Sequence, residues 1–257
     1  MTYTTQPGPG PGTGPGPGPG TDTGPGTGPG PGTDTGRLKF LALNGSERPD
    51  GNIAHALRRV EEILTGQQAD LEVVRLWDLR LTPCGPCGDC NFRTRPCDID
   101  DGLRPLIDRM AAADALIYAT SVHGFGSAPT MPTFLERSGT GHLRFHRVLT
   151  NKVGGVLVTG RRYSHVETHN QLLNNVLLNR MIVPGHGFPC VLFGNQKGEV
   201  LGDEEGMEML RRMVVRMVRL ARVLREHREL TGTDLLADEY AGERDRCPIR
   251  VPARQPA

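Results

Sequence analysis

Short apolar runs alternate with segments of helical periodicity along this chain, and that alternation restricts its fold more than any other feature. Five runs have the length and composition of buried β-strands, at residues 38–43, 71–76, 115–119, 153–158 and within 182–193. Each leads, directly or after a loop, into a segment with apolar residues at helical spacing. Such alternation is typical of a parallel sheet covered by helices on both faces. We therefore predict an α/β fold with a doubly wound, five-stranded parallel sheet.

The longest predicted helix spans about residues 203–230 and carries methionines, leucines and other apolar residues on one side. We interpret this stripe as core or subunit contact rather than as a cofactor site. Because closed symmetric oligomers need a self-complementary patch, we expect the stripe to offer one surface for assembly into a homodimer or homotetramer.

The two ends of the chain differ in composition from its centre. Residues 1–36 consist largely of Gly, Pro and Thr in short repeats and have almost no apolar surface to offset the entropy lost on ordering. Residues 232–257 are polar and rich in charge. We predict a disordered segment at 1–36, one domain at 37–231 and a flexible tail at 232–257. A chain starting at Arg37 should keep cofactors and turnover.

Charge and hydropathy exclude several classes of function. Thirty Lys and Arg face 29 Asp and Glu, a formal net charge of +1, which gives no general attraction to nucleic acid or anionic lipid. No run reaches 18 apolar residues, and the N-terminal residues lack a signal-peptide pattern. We therefore expect a cytoplasmic protein with neither a nucleic-acid nor a membrane partner.

Four of the six cysteines lie within a predicted loop at 83–101, after the second strand. Cys84, Cys87, Cys90 and Cys97 form a C-x2-C-x2-C-x6-C run. Two-residue gaps let three thiolates converge on one centre, and the fourth arrives after a longer loop. Four soft thiolates held by a short loop suit an iron–sulfur cluster. Zinc, a disulfide pair and an empty loop remain alternatives, although structural zinc sites usually use two separated C-x2-C pairs.

A second unusual loop follows the first predicted strand, with the sequence GSERPDGN at residues 45–52. It connects a strand to a helix N-terminus, where free N–H groups and the helix dipole favour an anion. Ser46 adds a hydroxyl donor and Arg48 a charged fork. The pattern predicts a phosphate site, and an ordinary βα turn with a solvated arginine is the alternative.

These residues resemble a known family. GSERPDGN after LKFLAL is similar to the GS-x-R-x-x-GN loop of the NADPH-dependent FMN reductase group, and the similarity continues to about Gly194. The cysteine run resembles the branch called iron–sulfur flavoproteins. The resemblance implies a flavodoxin-like sheet of order 2-1-3-4-5, bound FMN and a [4Fe–4S] cluster on the four cysteines.

The resemblance also assigns cofactor contacts. The phosphate ligands would be Ser46, Arg48, Gly51, Asn52 and Ile53, where Ile53 replaces the family's Ser or Thr and offers only its backbone N–H. The flavin ring would contact Ser121, Val122, His123, Gly124, Phe125 and Gly126 on one side and Thr159, Gly160 and Arg161 on the other. His123 departs from the family pattern, and its ring could donate to the flavin or to a substrate as a catalytic residue. A solvated loop histidine is the alternative.

The predicted function is FMN-dependent electron transfer between a reduced donor, NAD(P)H or ferredoxin, and a small-molecule or protein acceptor, with NAD(P)H as a candidate co-substrate. One alternative is an NAD(P)H-dependent FMN, quinone or nitro reductase whose cysteine loop holds zinc or nothing. Another is a redox sensor that signals through loss of the cluster.

Overall fold

The computed structural model describes residues 36–85 and 95–236 of this 257-residue chain. Cys87, Cys90, most of the predicted disordered segment and most of the predicted tail lie outside these ranges. The domain limits expected from the sequence therefore stay predictions.

Six strands and six α-helices make up the described part of the chain. The strands are β1 (Leu38–Asn44), β2 (Ala69–Arg75), β3 (Ala115–His123), β4 (Gly126–Ser127), β5 (Val153–Gly160) and β6 (Val191–Phe193). The helices are α1 (Asn52–Gly66), α2 (Leu103–Ala112), α3 (Thr130–Ser138), α4 (Arg144–His146), α5 (His165–Leu178) and α6 (Glu204–Thr231). A five-residue π-helix, Gly139–Leu143, joins α3 to α4.

The sheet is doubly wound, as predicted, and its strands follow the order β2-β1-β3-β5-β6, all paired in parallel. The predicted count of five strands is corrected to six, so the numbering of the path differs from the predicted 2-1-3-4-5. The additional strand is β4, which folds back antiparallel on the end of β3. It was missed because two residues are too few to give a strand pattern.

The hairpin overlaps residues 121–126, which the resemblance assigns to the flavin ring. Ser121 to His123 complete β3, and Gly124 and Phe125 form the turn with φ angles of +50° and +69°. Two central residues at positive φ are typical of the tight turn that matches the twist of a hairpin. The aromatic Phe125 at such an angle is uncommon for a residue with a Cβ.

Side chains alternate between the two faces of the sheet, and each face has its own core. Phe40, Ala42 and Ile117 point to α1 and α6, while Leu41, Leu43 and Tyr118 point to α2, α3 and α5. This alternation follows from the two-residue period of a strand. Because β1, β2, β3, β5 and β6 are parallel, their carboxyl ends, and the loops that follow those ends, lie on the same side of the sheet.

The apolar stripe of α6 belongs mostly to the core. Met213, Val214 and Met217 are completely buried against β1, β3 and β5. Asp203 caps the helix, because its carboxylate accepts a hydrogen bond from the Gly206 N–H. Most of the stripe covers the sheet, and the expected assembly into a homodimer or homotetramer stays a prediction. Among the described residues, no helix is both long and apolar enough to span a bilayer.

Candidate functional site

A cleft of about 190 Å³ opens where β1, β3 and β5 end. It is lined by Ser46, Arg48, Gly51, Asn52, Ile53, Ser121, Val122, His123, Thr159, Gly160, Arg161, Gly194 and Asn195. All the predicted cofactor-binding residues except Gly124, Phe125 and Gly126 are thus brought together. Gly194 and Asn195 were missed, because the loop after β6 carries no motif that marks it.

The loop after β1 is held in one conformation by its own polar groups. The Asn44 side-chain oxygen accepts from the Ser46 N–H at 2.9 Å, and the Ser46 hydroxyl oxygen accepts from the Arg48 N–H at 3.3 Å. Ser46 is buried, whereas the Arg48 side chain is exposed. The Ser46 O–H and the Arg48 guanidinium can therefore both act as donors toward a ligand in the cleft.

The N-terminus of α1 supplies further donors. Gly51 stands at the N-cap, no side chain caps the helix, and its first turn contains no acidic residue. Because the first N–H groups of a helix have no intrahelical acceptors, this end favours an anion. A phosphate group fits this chemistry better than a carboxylate side chain of the protein does.

The Asn52 side chain makes two contacts that the sequence did not indicate. Its amide nitrogen donates to the Gly194 carbonyl at 3.2 Å, and its amide oxygen accepts from the Gly198 N–H at 2.8 Å. The side chain therefore connects α1 to the loop after β6. These bonds fix Gly194 at the edge of the cleft, and they leave the Asn52 backbone N–H and the second hydrogen of its side-chain amide as donors for a ligand.

An ion-pair cluster strengthens the same connection. Asp50 is paired with Lys197 of the loop after β6 and with Arg58 of α1. Hydrogen bonds from Lys197 and Arg58 hold the pKa of the Asp50 carboxyl below its ordinary value. The carboxylate beside the anion site is thus balanced by two cations.

His123 lies between two polar residues at the mouth of the cleft. Its Nε2 is 3.3 Å from the Ser121 hydroxyl oxygen, and its Nδ1 is 3.9 Å from a carboxylate oxygen of Glu47. Sequence analysis missed Glu47, because no spacing connects residues 47 and 123. The Ser121 contact is within hydrogen-bond distance, whereas the 3.9 Å separation from Glu47 is an ion-pair contact rather than a hydrogen bond.

Two exposed aromatic rings stand close by. Phe125 of the β3–β4 turn stacks on Tyr163 of the loop after β5, with ring centroids 4.5 Å apart and planes 28° apart. This stacking accounts for the absence of Phe125 from the cleft lining, since its ring rests on Tyr163.

The described part of the cysteine loop shows its two ends. Cys84 is exposed and Cys97 is partly buried, while Cys87 and Cys90 lie outside the described ranges. Within residues 36–85 and 95–236, no three His, Cys, Asp or Glu are grouped to hold a metal. The two ends of the loop do meet, because the Thr82 N–H donates to the Asp101 carboxylate at 3.1 Å. Because the two ends of the loop lie close together, the cysteines between them can approach one metal centre. Outside that set, Cys190 is completely buried.

A larger cavity lies elsewhere in the described region. It has a volume of about 540 Å³ and opens beside the half-exposed Trp77, between the turn after β2 and the start of α3. None of the motif residues of the loops after β1, β3 and β5 line it. We therefore assign the candidate site to the smaller cleft because of the donor groups that line it. Cavity volume alone would favour the larger cavity beside Trp77.

Comparisons with known proteins show the family to which the chain belongs. The family model for NADPH-dependent FMN reductase matches residues 38–196, which include β1 through β6. An iron–sulfur flavoprotein of Methanocaldococcus jannaschii is 26% identical over 196 residues, which cover 74% of this chain and 100% of the relative. An iron–sulfur flavoprotein of Methanosarcina thermophila is 27% identical over 150 residues, covering 58% of this chain and 78% of the relative.

Solved structures show the same fold. RosB, solved with bound 8-demethyl-8-formylriboflavin-5'-phosphate, is similar with a TM-score of 0.59 and 20% identity, covering 85% of this chain and 96% of that one. FerB, an NAD(P)H:(acceptor) oxidoreductase of Paracoccus denitrificans, is similar with a TM-score of 0.55 and 15% identity, covering 72% and 98%. The predicted flavodoxin-like α/β fold is confirmed. The chain belongs to the NADPH-dependent FMN reductase family, is related to its iron–sulfur flavoprotein branch as the sequence predicted, and is a flavin-dependent oxidoreductase.

Proposed function

We propose that this protein binds FMN in the cleft at the ends of β1, β3 and β5, holds a [4Fe–4S] cluster on Cys84, Cys87, Cys90 and Cys97, and passes electrons from NAD(P)H or ferredoxin to an acceptor. The observation that carries the proposal is the meeting, in one cleft, of residues 46–53, 121–123 and 159–161. Those segments are far apart in the sequence, and the family resemblance assigns each of them to FMN.

The FMN phosphate is proposed to lie at the N-terminus of α1. Ser46 and Arg48 would donate to it from the loop after β1, and the backbone N–H groups of Asn52 and Ile53 would donate from the helix. The flavin ring would extend toward Ser121 and Thr159, whose strands pair side by side. When bound, FMN accepts two electrons as hydride, and the cluster exchanges single electrons, so the pair converts two-electron into one-electron chemistry.

Replacing Arg48 with alanine tests the phosphate site. Loss of one charge-assisted hydrogen bond should weaken FMN binding by about 1.5–3 kcal/mol, roughly tenfold to 150-fold in Kd. Titration calorimetry on the flavin-free protein measures the change. Riboflavin lacks the phosphate, so it should bind to the natural protein less tightly than FMN does. Its affinity should be the same for the natural protein and for Arg48→Ala.

Arg59→Ala is the matched control for that experiment. Arg59 is also exposed and lies on α1, but it pairs with Glu62 and does not line the cleft. Its removal should leave FMN affinity close to that of the natural protein. An Arg48→Ala protein with unchanged FMN affinity would remove the arginine from the site.

His123 is proposed to hold and deliver a proton at its Nε2, with Glu47 on the other ring nitrogen. His123→Gln should slow flavin reduction or reoxidation on the order of 10²-fold, the low end for a general acid, because the ring is partly open to water. FMN affinity should stay the same. Stopped-flow absorbance at the flavin bands measures both half-reactions. Unchanged rates in His123→Gln would show that His123 is a solvated residue without a catalytic role.

The cluster distinguishes this proposal from the other two functions. An NAD(P)H-dependent FMN, quinone or nitro reductase without a cluster would show flavin absorbance alone. Four-thiolate ligation adds broad visible absorbance, and anaerobic purification followed by iron, sulfide and FMN assays decides between them. A redox sensor would further require a partner whose binding depends on the cluster.

Assembly is proposed to bring the cluster of one chain near the flavin of another. β2 lies at the edge of the sheet, and Cys84 follows it, whereas the cleft lies between β1, β3 and β5. A homodimer or homotetramer would shorten the path for electrons. The oligomeric state of the active protein, measured by light scattering, tests this arrangement, and a strictly monomeric active protein would oppose it.

A further inference from the structure

One arginine, Arg137 of α3, joins both ends of the cysteine loop. Its Nη1 donates to the Thr82 carbonyl at 3.0 Å and to the Asp101 carboxylate, so the ends before Cys84 and after Cys97 meet at one guanidinium. Its Nη2 lies 3.9 Å from the Cys97 sulfur, within reach of an N–H···S hydrogen bond. Only arginine has a fork that can donate to three acceptors in this way.

Burying the charged Arg137 and Asp101 side chains costs desolvation free energy, which only their ion pair and hydrogen bonds can offset. The side chain of Arg137 is 1% exposed and that of Asp101 is 8% exposed. A buried ion pair often contributes little net stability compared with apolar residues of similar volume. A buried, fully charged fork aimed at a cysteine therefore points to a role beyond packing.

The backbone holds Cys97 against the same wall. The Cys97 N–H donates to the Gly141 carbonyl at 2.8 Å, within the π-helix that follows α3. A Cβ on Gly141 would lie 3.2 Å from the Cys97 Cβ, so glycine allows this close approach. Cys97 is thus fixed by its main chain while its sulfur faces Arg137.

We infer that Arg137 is a positioning residue that closes the base of the cysteine loop and directs a guanidinium N–H at the Cys97 sulfur, which raises the reduction potential of the cluster. The second part of the inference rests on the proposed function. A positive charge and an N–H donor near a ligand sulfur favour the more negative, reduced form of a cluster. The first part concerns only residues that the structure describes.

Two variants separate charge from geometry. Arg137→Lys keeps the charge that Asp101 needs but cannot reach Thr82, Asp101 and Cys97 together. Arg137→Met removes the charge as well. We expect the reduction potential of the cluster to be most positive in the natural protein, lower in Arg137→Lys and lowest in Arg137→Met. In Arg137→Met the ratio of oxidised to reduced cluster should change at least tenfold at a given potential, which corresponds to about 59 mV for one electron.

The measurement is a dithionite titration of the anaerobically purified holoprotein, followed by electron paramagnetic resonance. Arg225→Lys is the matched control. Arg225 also forms an ion pair that is largely buried, with Asp114. Asp114 directly precedes β3, so this pair lies where β3 begins, whereas the cleft lies where β3 ends. The reduction potential of the cluster in Arg225→Lys should equal that in the natural protein. Potentials unchanged in both Arg137 variants would overturn the inference, and Arg137→Lys decides it if Arg137→Met does not fold.

A cluster-free measurement keeps the two proposals distinguishable. If the natural protein holds no iron, the proposed cluster fails, and the inferred effect on its potential fails with it. Closure of the loop base is still tested by amide hydrogen exchange of the apoprotein. The amides of Thr82 and Cys97, which donate to Asp101 and Gly141, should exchange faster in Arg137→Lys than in Arg225→Lys. Equal protection in those two proteins would rule out the positioning role.

Discussion

Cys97→Ser protein is expected to contain FMN but no [4Fe–4S] cluster. Serine is a hard, protonated oxygen donor at neutral pH and a poor replacement for a thiolate in such a site. The FMN cleft should be unaffected, because it is built from the loops after β1, β3, β5 and β6. Electron transfer to a one-electron acceptor should fall to background, while reduction of the flavin by its donor continues.

The comparison uses a cysteine outside the loop as its control. Cys190 is completely buried in the core beneath β5 and β6, and burial raises the pKa of its thiol, so it stays protonated and does not act as a ligand. Cys190→Ala should retain iron, sulfide and FMN in the ratios of the natural protein. Stoichiometric iron and sulfide in Cys97→Ser would contradict the four-cysteine site.

Much of the fold could be predicted because local patterns and tertiary packing agree. The apolar run that became β1 is buried on both faces, so its sequence shows no polar residue except Lys39 before Asn44. The helical stripe of α6 was recognised for the same reason. The sequence does not decide whether this apolar face packs in the core or against another subunit. Periodicity shows that a face is apolar but not whether the chain itself or a second copy covers it.

The site was predictable where a motif fixes the backbone and less so where contacts join distant segments. Ser46, Arg48 and Gly51 follow from one loop next to a helix start. Asn52 belongs to the same motif, yet its side chain binds the loop after β6, and no local pattern reports that contact. The approach of Glu47 to His123 likewise depends on how β1 and β3 end side by side.

A second large effect is expected at the base of the cysteine loop. Asp101→Asn should lower the free energy of unfolding by about 3–5 kcal/mol, the usual cost of leaving a buried charge without its partner. The Arg137 guanidinium would remain 1% exposed with an amide in place of the carboxylate. Asparagine keeps the shape of the side chain, so the loss reports charge rather than a cavity.

The same pair makes a prediction about pH. Burial alone would raise the pKa of the Asp101 carboxyl, but hydrogen bonds from Arg137, Thr82 and Leu103 outweigh burial and hold that pKa below its ordinary value. A carboxyl with a lowered folded-state pKa stabilises the protein above its unfolded pKa of about 3.9, and this contribution is lost as pH falls through the folded value. The stability difference between natural protein and Asp101→Asn should therefore be full near pH 6 and shrink below about pH 4.

Urea denaturation at several pH values, with matched iron content, measures this difference. Burial and the neighbouring Arg137 and Arg104 lower the pKa of His142, whereas Asp101 raises it, so Asp101→Asn also changes the titration of His142. The two proteins are therefore compared in a His142→Gln background, in which this second titration is absent. Asp114→Asn, which breaks the more exposed pair with Arg225, should cost less. The double variant Asp101→Asn with Arg137→Met should recover part of the lost stability, because no uncompensated charge remains buried. An Asp101→Asn protein as stable as the natural one at pH 6 would show that the pair does not hold the loop base, and a difference that persists unchanged at pH 3 would show that its charge is not the cause.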